Sequence, residues 1–420
     1  KKRDPVVLYE RHLESNGIIS KAERESVIAR VDEEIEAAIR EAEASPHPRP
    51  EEALRDVLEE PLARIAADPA IESVRPLPAT ARGILVDSLR VPGIGLHVEQ
   101  MIVELEPGAD REALVRAWDR LLDEEPALRA AAVWRDVDEP VLAVHRRASI
   151  PVETVAGDLE TYLRRDAAAG FDLERPPLLR LAFLERHAVW THHHLLLDGW
   201  SRGIVLGRLA TLLRDPEAPR IERPALAFEE APRPLEAGHA TPIGRPSELP
   251  APDVHGSDRY GDVEGRLSAA DLASLEDRAR RARRTLSDVV RGAWALLLAR
   301  YSGRDEVAFG ATVSGRDAGL EHAVGLLIRT VGLRWGVEPG EGFWPWLDRQ
   351  AEREPIEGPG WADESLLVVE NYPFDPTVGP AARYRGARTR SALVLLLVPG
   401  SGLGVHLVHD RTRLGDGDAA

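Results

Sequence analysis

Residues Thr191–Ser201 read THHHLLLDGWS. Three consecutive histidines between an apolar run and an Asp-Gly pair leave few local structures open. Side chains alternate faces along a strand, so in a strand beginning near Trp190, His192 and His194 share one face while His193 points to the other. Asp198-Gly199 then suits a sharp turn, because glycine accepts backbone angles that other residues avoid. The pattern predicts a buried strand whose end presents an imidazole at the start of a loop, a place where catalytic groups are often held. Three readings stand at this level. A metal site needs three or four converging N, S or O ligands, and the chain has no cysteine and no second His and carboxylate cluster at ligand spacing. A satisfied core residue is the ordinary reading of an imidazole in an apolar strand. A general base uses the near-neutral pKa of imidazole to take a proton from an amine or hydroxyl. Asp198 serves either as the orienting partner of that base or as the partner of a distant cation; the second is favoured, since a buried carboxylate without a cation is costly.

Single hydrophobic cores stop growing at about 250–300 residues, so a chain of 420 is expected to form at least two lobes. Its hydrophobic fraction of 43% and charged fraction of 30% are those of a globular protein. Apolar runs such as Ala392–Val398 fall short of the roughly 20 residues a bilayer needs, and no basic-apolar-small series opens the chain. Neither a membrane span nor a secretory signal is expected, and the cytoplasm is the default location. Without cysteine there is no disulfide framework and no thiol nucleophile. A net charge of −17 argues against nucleic-acid binding, which rests on Lys and Arg neutralising phosphates. The opening Lys1-Lys2-Arg3, without methionine, is what a piece of a longer protein would show.

The first sixty residues differ in texture from the rest. Between Ala22 and Ala44, Val27, Val31, Ile35 and Ile39 recur at every fourth position, which predicts an amphipathic helix. Ser45-Pro46-His47-Pro48-Arg49-Pro50 stops it, and a shorter helical pattern, Glu51–Ile65, follows. From about Ile71 strands and helices alternate. Val98–Leu105 reads as a half-buried strand; Asp110–Leu122 places Leu114, Trp118, Leu121 and Leu122 on one helical face. A helix is expected around Leu159–Ala169, a strand at Leu178–Leu184 and a helix at Arg202–Arg214. The proline-rich stretch Asp215–Asp253 marks a lobe boundary. Beyond it the mixture returns, with helices at Ala269–Arg283 and Leu286–Tyr301 and strands at Glu306–Val313, Glu364–Glu370, Ala392–Val398 and Gly404–His409. Gly400-Ser401-Gly402-Leu403-Gly404 reads as a hairpin turn, not a phosphate loop. The expected organisation is a helical arm over 1–66, an N-terminal lobe over 67–240 and a C-terminal lobe over 241–420, in the α/β (α+β) class.

His193-His194-Leu195-Leu196-Leu197-Asp198-Gly199 resembles the HHxxxDG signature of the condensation-domain superfamily, which includes the condensation and epimerization domains of nonribosomal peptide synthetases and chloramphenicol-acetyltransferase-like acyltransferases. Further segments resemble it in the same order: Val74–Thr80 with Gly83-Ile84-Leu85, Pro126–Arg129, Gly292–Ser302, Phe309–Arg316, Val324–Arg334 and Leu367–Pro373. The resemblance spans about Ile71 to Arg413. Arg3–Glu60 is similar to the C-terminal tail of the alpha subunit of thiamine-dependent 2-oxo-acid dehydrogenases, without the upstream part that binds thiamine diphosphate.

The first resemblance implies two chloramphenicol-acetyltransferase-like lobes in a V-shaped pseudo-dimer with a tunnel between them. It implies amide formation between an acyl thioester on one carrier protein and an amine on another, both delivered on phosphopantetheine, with no tightly bound cofactor. His194 is the expected catalytic residue, as base or as positioning group. His193, Asp198, Gly199 and Arg316 are expected to support the motif, Asp198 by pairing with Arg316 and Gly199 by letting the backbone approach the thioester. His192, Trp200, Ser201 and Arg329 are candidates for lining the tunnel. The chain departs from the family's usual pattern with Arg329 in place of Asn, with no aromatic fourth motif between Arg202 and Asp258, and with Arg388–Leu393 (RTRSAL) lacking an Asn-Pro-like core. An epimerase would need a glutamate-bearing segment where Val324–Thr330 stands. Two alternatives stay open: a stand-alone acyltransferase using coenzyme A or a carrier and a free amine or alcohol, and a catalytically silent scaffold. The tail-like arm further suggests a thiamine-dependent dehydrogenase module or subunit as a partner, in a dehydrogenase–condensation fusion.

Overall fold

The structure is a computed structural model that describes residues 13–16, 18–44, 60–221, 259–316, 320–338, 340–357, 364–370, 382–386 and 388–416. The chain divides into two compact units, Lys1–Pro61 and Leu62–Ala420. In the first, the helix Lys21–Ala44 begins on a reciprocal cap in which Ser20 Oγ accepts from the Glu23 amide at 3.2 Å and the Glu23 carboxylate accepts from the Ser20 amide at 2.7 Å. Val27, Val31 and Ile35 share a stripe as the spacing predicts, and their side chains are exposed. The expected proline break at 45–50 lies outside the described residues. No described helix is long and apolar enough to cross a membrane.

The larger unit alternates helices with strands β1 (Ile71–Pro76), β2 (Val98–Glu104), β3 (Ala130–Val133), β4 (Val141–His145), β5 (Val152–Val155), β6 (Leu179–Leu184) and β7 (His187–His193). After residues outside the description come β8 (Tyr260–Leu267), β9 (Glu306–Ser314), β10 (Ile328–Gly336), β11 (Ile356–Glu357), β12 (Ser365–Val369), β13 (Ala382–Arg385), β14 (Leu393–Pro399) and β15 (Leu403–Asp410). They form a seven-stranded sheet β11-β10-β9-β12-β14-β15-β8, a five-stranded sheet β13-β2-β7-β6-β5 and a small sheet β1-β4-β3. β14 and β15 join through Gly400–Gly402, the hairpin expected from the glycines, where the Gly400 amide donates to the Gly402 carbonyl at 2.8 Å.

Each large sheet has its own core. Trp118, Leu121 and Leu122 of the helix Arg111–Glu124 are buried in the first, where Trp118 meets Trp190 with ring centroids 4.7 Å apart. Trp294, Phe309, Trp335 and Trp346 anchor the second. The expected lobe boundary near residue 240 falls outside the described residues. β13 follows the second lobe's β12 in sequence yet pairs antiparallel with β2 of the five-stranded sheet, so the later part of the chain contributes a strand to the first lobe. β2 differs from its half-buried reading: Val98 to Ile102 are all buried. One face packs on the helix Leu159–Ala169 through Ile102, Tyr162 and Leu163, while Met101 on the other face belongs to the main core, so the strand has no solvent side.

Truncating Leu121 to Ala is expected to cost the larger unit about 2–5 kcal/mol, because the fully buried side chain leaves a cavity. Val27→Ala, on the exposed stripe of the arm, is expected to change stability by less than about 0.5 kcal/mol. Urea unfolding followed by circular dichroism reads both, and equal losses would contradict the exposure of Val27.

Candidate active site

The alternation predicted for the histidines holds at the end of β7. His192 faces Glu99 across the ladder, and His193 faces Val98. The His192 ring is fully buried, stacked on Trp190 at 4.6 Å, with Nε2 3.0 Å from Glu99 Oε2 but not aligned as a hydrogen bond. His193 turns to the opposite side. Its Nδ1 accepts from the Leu195 amide at 3.3 Å, and Nε2 lies 3.2 Å from Ser88 Oγ, whose own proton goes to the Ile84 carbonyl at 2.7 Å. That pattern puts the His193 proton on Nε2. Burial pushes the pKa of both rings down, that of His193 well below the usual range, with the nearby His97 and His194 adding to the effect on His193. Both therefore sit as neutral structural rings.

His194 stands one residue beyond the strand, where its amide donates to the His97 carbonyl at 2.7 Å. Its side chain is 18% exposed, against 0% for His192. Nδ1 lies 2.7 Å from the Leu197 carbonyl oxygen. A carbonyl only accepts, so Nδ1 carries the proton and the neutral ring keeps its lone pair on Nε2.

Asp198, fully buried, ends the loop and caps the helix Gly199–Arg214 by accepting from the Ser201 amide at 2.8 Å. Its carboxylate also takes both terminal nitrogens of Arg316, at 2.6 and 3.0 Å, and the Leu327 amide at 2.9 Å. Arg316 donates further to Ser201 Oγ at 2.7 Å, and Ser201 Oγ donates to the Gly325 carbonyl at 2.7 Å. Every lone-pair direction of this buried carboxylate is thus engaged, as a desolvated charge requires. Glycine is needed before Arg316, because a Cβ on Gly315 would stand 2.2 Å from the Leu327 carbonyl oxygen. Gly199 occupies the first helical position, where the helix itself offers its amide no acceptor.

Sequence reasoning missed a second buried centre. Glu99 of β2 accepts from Arg202 Nη1 at 3.0 Å and from the Tyr384 hydroxyl of β13 at 2.7 Å, and its Oε1 lies 3.7 Å from His194 Nδ1. Arg202 lies over the Tyr384 ring at 3.8 Å and reaches Glu370 at 3.4 Å. Burial pushes the Glu99 carboxyl up, but His194 when protonated, Arg202 and the adjacent His192 outweigh it and hold it well below the usual carboxylate range. The available signal was a glutamate between buried Val98 and Met101; reading β2 as half-solvated hid it. Nothing local in the sequence connects Tyr384 to this place.

Two expected tunnel-lining residues are corrected. His192 and Ser201 are excluded from solvent, the first by stacking on Trp190 and the second by its bonds to Arg316 and Gly325. Trp200 is half-buried, its Nε1 donating to the Glu321 carbonyl at 2.8 Å beneath Arg316. Arg329 is exposed on β10, opposite Val313 of β9. Among the described residues no three His, Asp or Glu side chains are grouped so as to hold a metal ion.

Arg316→Ala leaves Asp198 buried without its cation and is expected to destabilise the larger unit by about 3–5 kcal/mol; a loss under about 1 kcal/mol in denaturant unfolding would show that the pair is dispensable. A pH dependence follows from the buried rings. His97, His192 and His193 have lowered folded-state values, so below about 6.5 the unfolded chain binds protons that the folded chain refuses. Their contribution is complete above about pH 6.5 and is lost as pH falls toward the folded values, by up to about 1.4 kcal/mol per histidine per pH unit. Urea midpoints at pH 7.5 and 5.5 measure it, and equal midpoints would contradict neutral buried rings.

Known proteins resemble this chain in sequence and in fold. Residues 82–218 match the condensation domain family, and residues 1–51 match the dehydrogenase E1 component family. The chain is 31% identical over 388 residues to a chondramide synthase of Chondromyces crocatus, covering 77% of this chain and 10% of that protein. It is 31% identical over 366 residues to one component of the linear gramicidin synthase of Brevibacillus parabrevis, covering 74% of this chain and 7% of that protein. The chain thus spans a tenth or less of the length of these relatives. Among solved structures, the first condensation domain of the calcium-dependent antibiotic synthetase superposes with a TM-score of 0.60 at 18% identity, covering 83% of this chain and 93% of that one. A four-domain nonribosomal peptide synthetase superposes with a TM-score of 0.64 at 15% identity, covering 83% of this chain and 32% of that one. The ordered motifs, the mixed α/β fold and these relatives together place the chain in the condensation-domain family found in nonribosomal peptide synthetases.

Proposed function

We propose that the chain catalyses amide formation between an acyl or aminoacyl thioester held on one carrier protein and an amine presented on another. The carrying observation is that His194 is the reachable member of the three histidines, with Nδ1–H tied to Leu197 so that Nε2 is the basic nitrogen. As the amine nitrogen bonds to the thioester carbonyl carbon, Nε2 takes the proton that the nitrogen loses. The carbonyl oxygen becomes an oxyanion, which in this reading accepts from the Gly199 amide at the helix N-terminus. Collapse of the tetrahedral adduct breaks the C–S bond, and the imidazolium returns its proton to the departing thiolate. Glu99, 3.7 Å from Nδ1, supplies a fixed negative charge beside the imidazolium. His193, Asp198 and Arg316 hold the loop and take no part in proton transfer.

In this reading the phosphopantetheine arms of carrier proteins deliver both substrates in the cytoplasm, and no tightly bound cofactor is needed. Relatives that are peptide synthases, matching over most of this chain, support carrier proteins as the partners. A thiamine-dependent partner for the arm has only the match over residues 1–51 behind it and enters no step.

The purified chain, given two loaded carrier proteins, is expected to form an amide detectable by mass spectrometry, and His194→Ala to slow it by about 10²–10⁴-fold. Wild-type rates in His194→Ala would overturn the base assignment. Transfer from an acyl-coenzyme A to a free amine without carriers would establish the stand-alone acyltransferase instead, and no transfer in any format would establish the scaffold.

A further inference from the structure

On the back of the strand pair that carries Glu99 and Tyr384 lies a small pocket open to solvent, lined among others by Gln100, Arg164, Tyr260, Arg385 and Arg388. Alternation produces it. Glu99 and Tyr384 face the side of His192 and His194, whereas their neighbours Gln100 and Arg385, directly opposite each other in the β2–β13 ladder, face the other way.

Three polar groups on this lining are buried and unsatisfied among the described residues. Both amide protons of Gln100 are committed, to the Leu163 carbonyl at 3.1 Å and to Asp166 at 2.7 Å. Both partners are acceptors, so the amide orientation is settled and Oε1 is left as an unpartnered acceptor. The Tyr260 hydroxyl is buried without a partner, and burial pushes its pKa up to about 12, which keeps it a donor. Arg385 Nη1 is buried without a partner as well.

The local charge is positive in a chain that is acidic overall. Arg388 is neutralised by two 2.6 Å bonds to Asp262, which His406 shares at 2.9 Å, and Arg383 by Glu160. Among the described residues Arg385 and Arg164 have no carboxylate at ion-pair distance. Burial, then the like charge of Arg388, pushes the Arg385 pKa down, as expected of a guanidinium lacking its counter-ion. Each buried unsatisfied polar group costs about 1–3 kcal/mol, more when charged, so an occupant that pairs with all three is strongly favoured.

We infer that this pocket binds a phosphate group that carries one protonated oxygen: inorganic phosphate or a phosphate monoester. Its unprotonated oxygens accept from Arg385, Tyr260 and Arg164, and its P–OH donates to Gln100 Oε1. A carboxylate, a sulfate or a phosphodiester satisfies the donors but leaves Gln100 unpaired. Phosphate monoesters have their second pKa near 6 and so retain that proton in part near neutrality. The inference does not depend on the proposed acyl transfer, because the pocket lies on the face of β2–β13 opposite the one from which Glu99 approaches His194.

Isothermal titration of the full chain at pH 6.5 with inorganic phosphate, glycerol phosphate and sulfate tests it. Saturable binding is expected for one or both phosphates, and which of them binds more tightly distinguishes the free ion from an organic monoester. Sulfate is expected to bind at least about tenfold more weakly. Arg385→Gln and Arg164→Gln are each expected to weaken phosphate binding by about tenfold or more. Arg164 is exposed, so its variant reports on binding even if Arg385→Gln fails to fold. No saturable phosphate binding below about 10 mM, a Kd that would correspond to under about 3 kcal/mol, overturns the inference. So does equal affinity for sulfate, or undiminished affinity in Arg164→Gln.

Discussion

The interaction on which the site depends is the buried pair between Asp198 and Arg316. It joins the loop after β7, in the first lobe, to the segment after β9, in the second. Two charges taken out of water stabilise a fold only when their remaining hydrogen-bonding capacity is used. Here the Ser201 and Leu327 amides use that of the carboxylate, and Ser201 Oγ shares the guanidinium. The same carboxylate also caps the helix Gly199–Arg214. One side chain therefore sets the loop that holds His194, the start of the helix that presents Gly199, and the position of the opposite lobe's backbone from Ala323 to Leu327.

Around this clamp the three histidines separate by burial. His192 and His193 are neutral packing elements held by a stacked indole and by a serine, and His194 alone emerges toward solvent. The Leu197 carbonyl selects its tautomer. Behind it lies a carboxylate that stays charged because Arg202 and Tyr384 compensate its desolvation. The strand pair β2–β13 thus has two faces of different character, one acidic toward His192 and His194 and one cationic toward the pocket formed with Tyr260.

Much of the fold was legible from periodicity. The helix Leu159–Ala169 and the strands β6, β9, β12, β14 and β15 fall within a residue or two of their expected bounds, because each has one apolar face or a short apolar run closed by turn residues. β2 was misjudged as half-solvated. Its apparent alternation reflects two different burials, a packed core on one side and a charge network on the other, and sequence periodicity cannot distinguish a glutamate facing water from one facing Arg202. β13 went unforeseen because four residues of a crossing strand, ARYR, carry no pattern that separates a strand from a loop.

By itself the sequence determined many of the strands and helices, that His193 and His194 face opposite ways at a strand end, and that Asp198 wants a cation. Those follow from local geometry and from the cost of burying a charge. Only the tertiary structure decided that Ser201 and His192 are sealed rather than lining a tunnel, and that Glu99, Arg202 and Tyr384 meet beside His194. Glu99 lies more than a hundred positions from Arg202 and from Tyr384, and Ser201 owes its burial to Arg316 and Gly325, which are as distant. Burial and charge compensation of that kind exist only once the lobes are packed and β13 has crossed to β2.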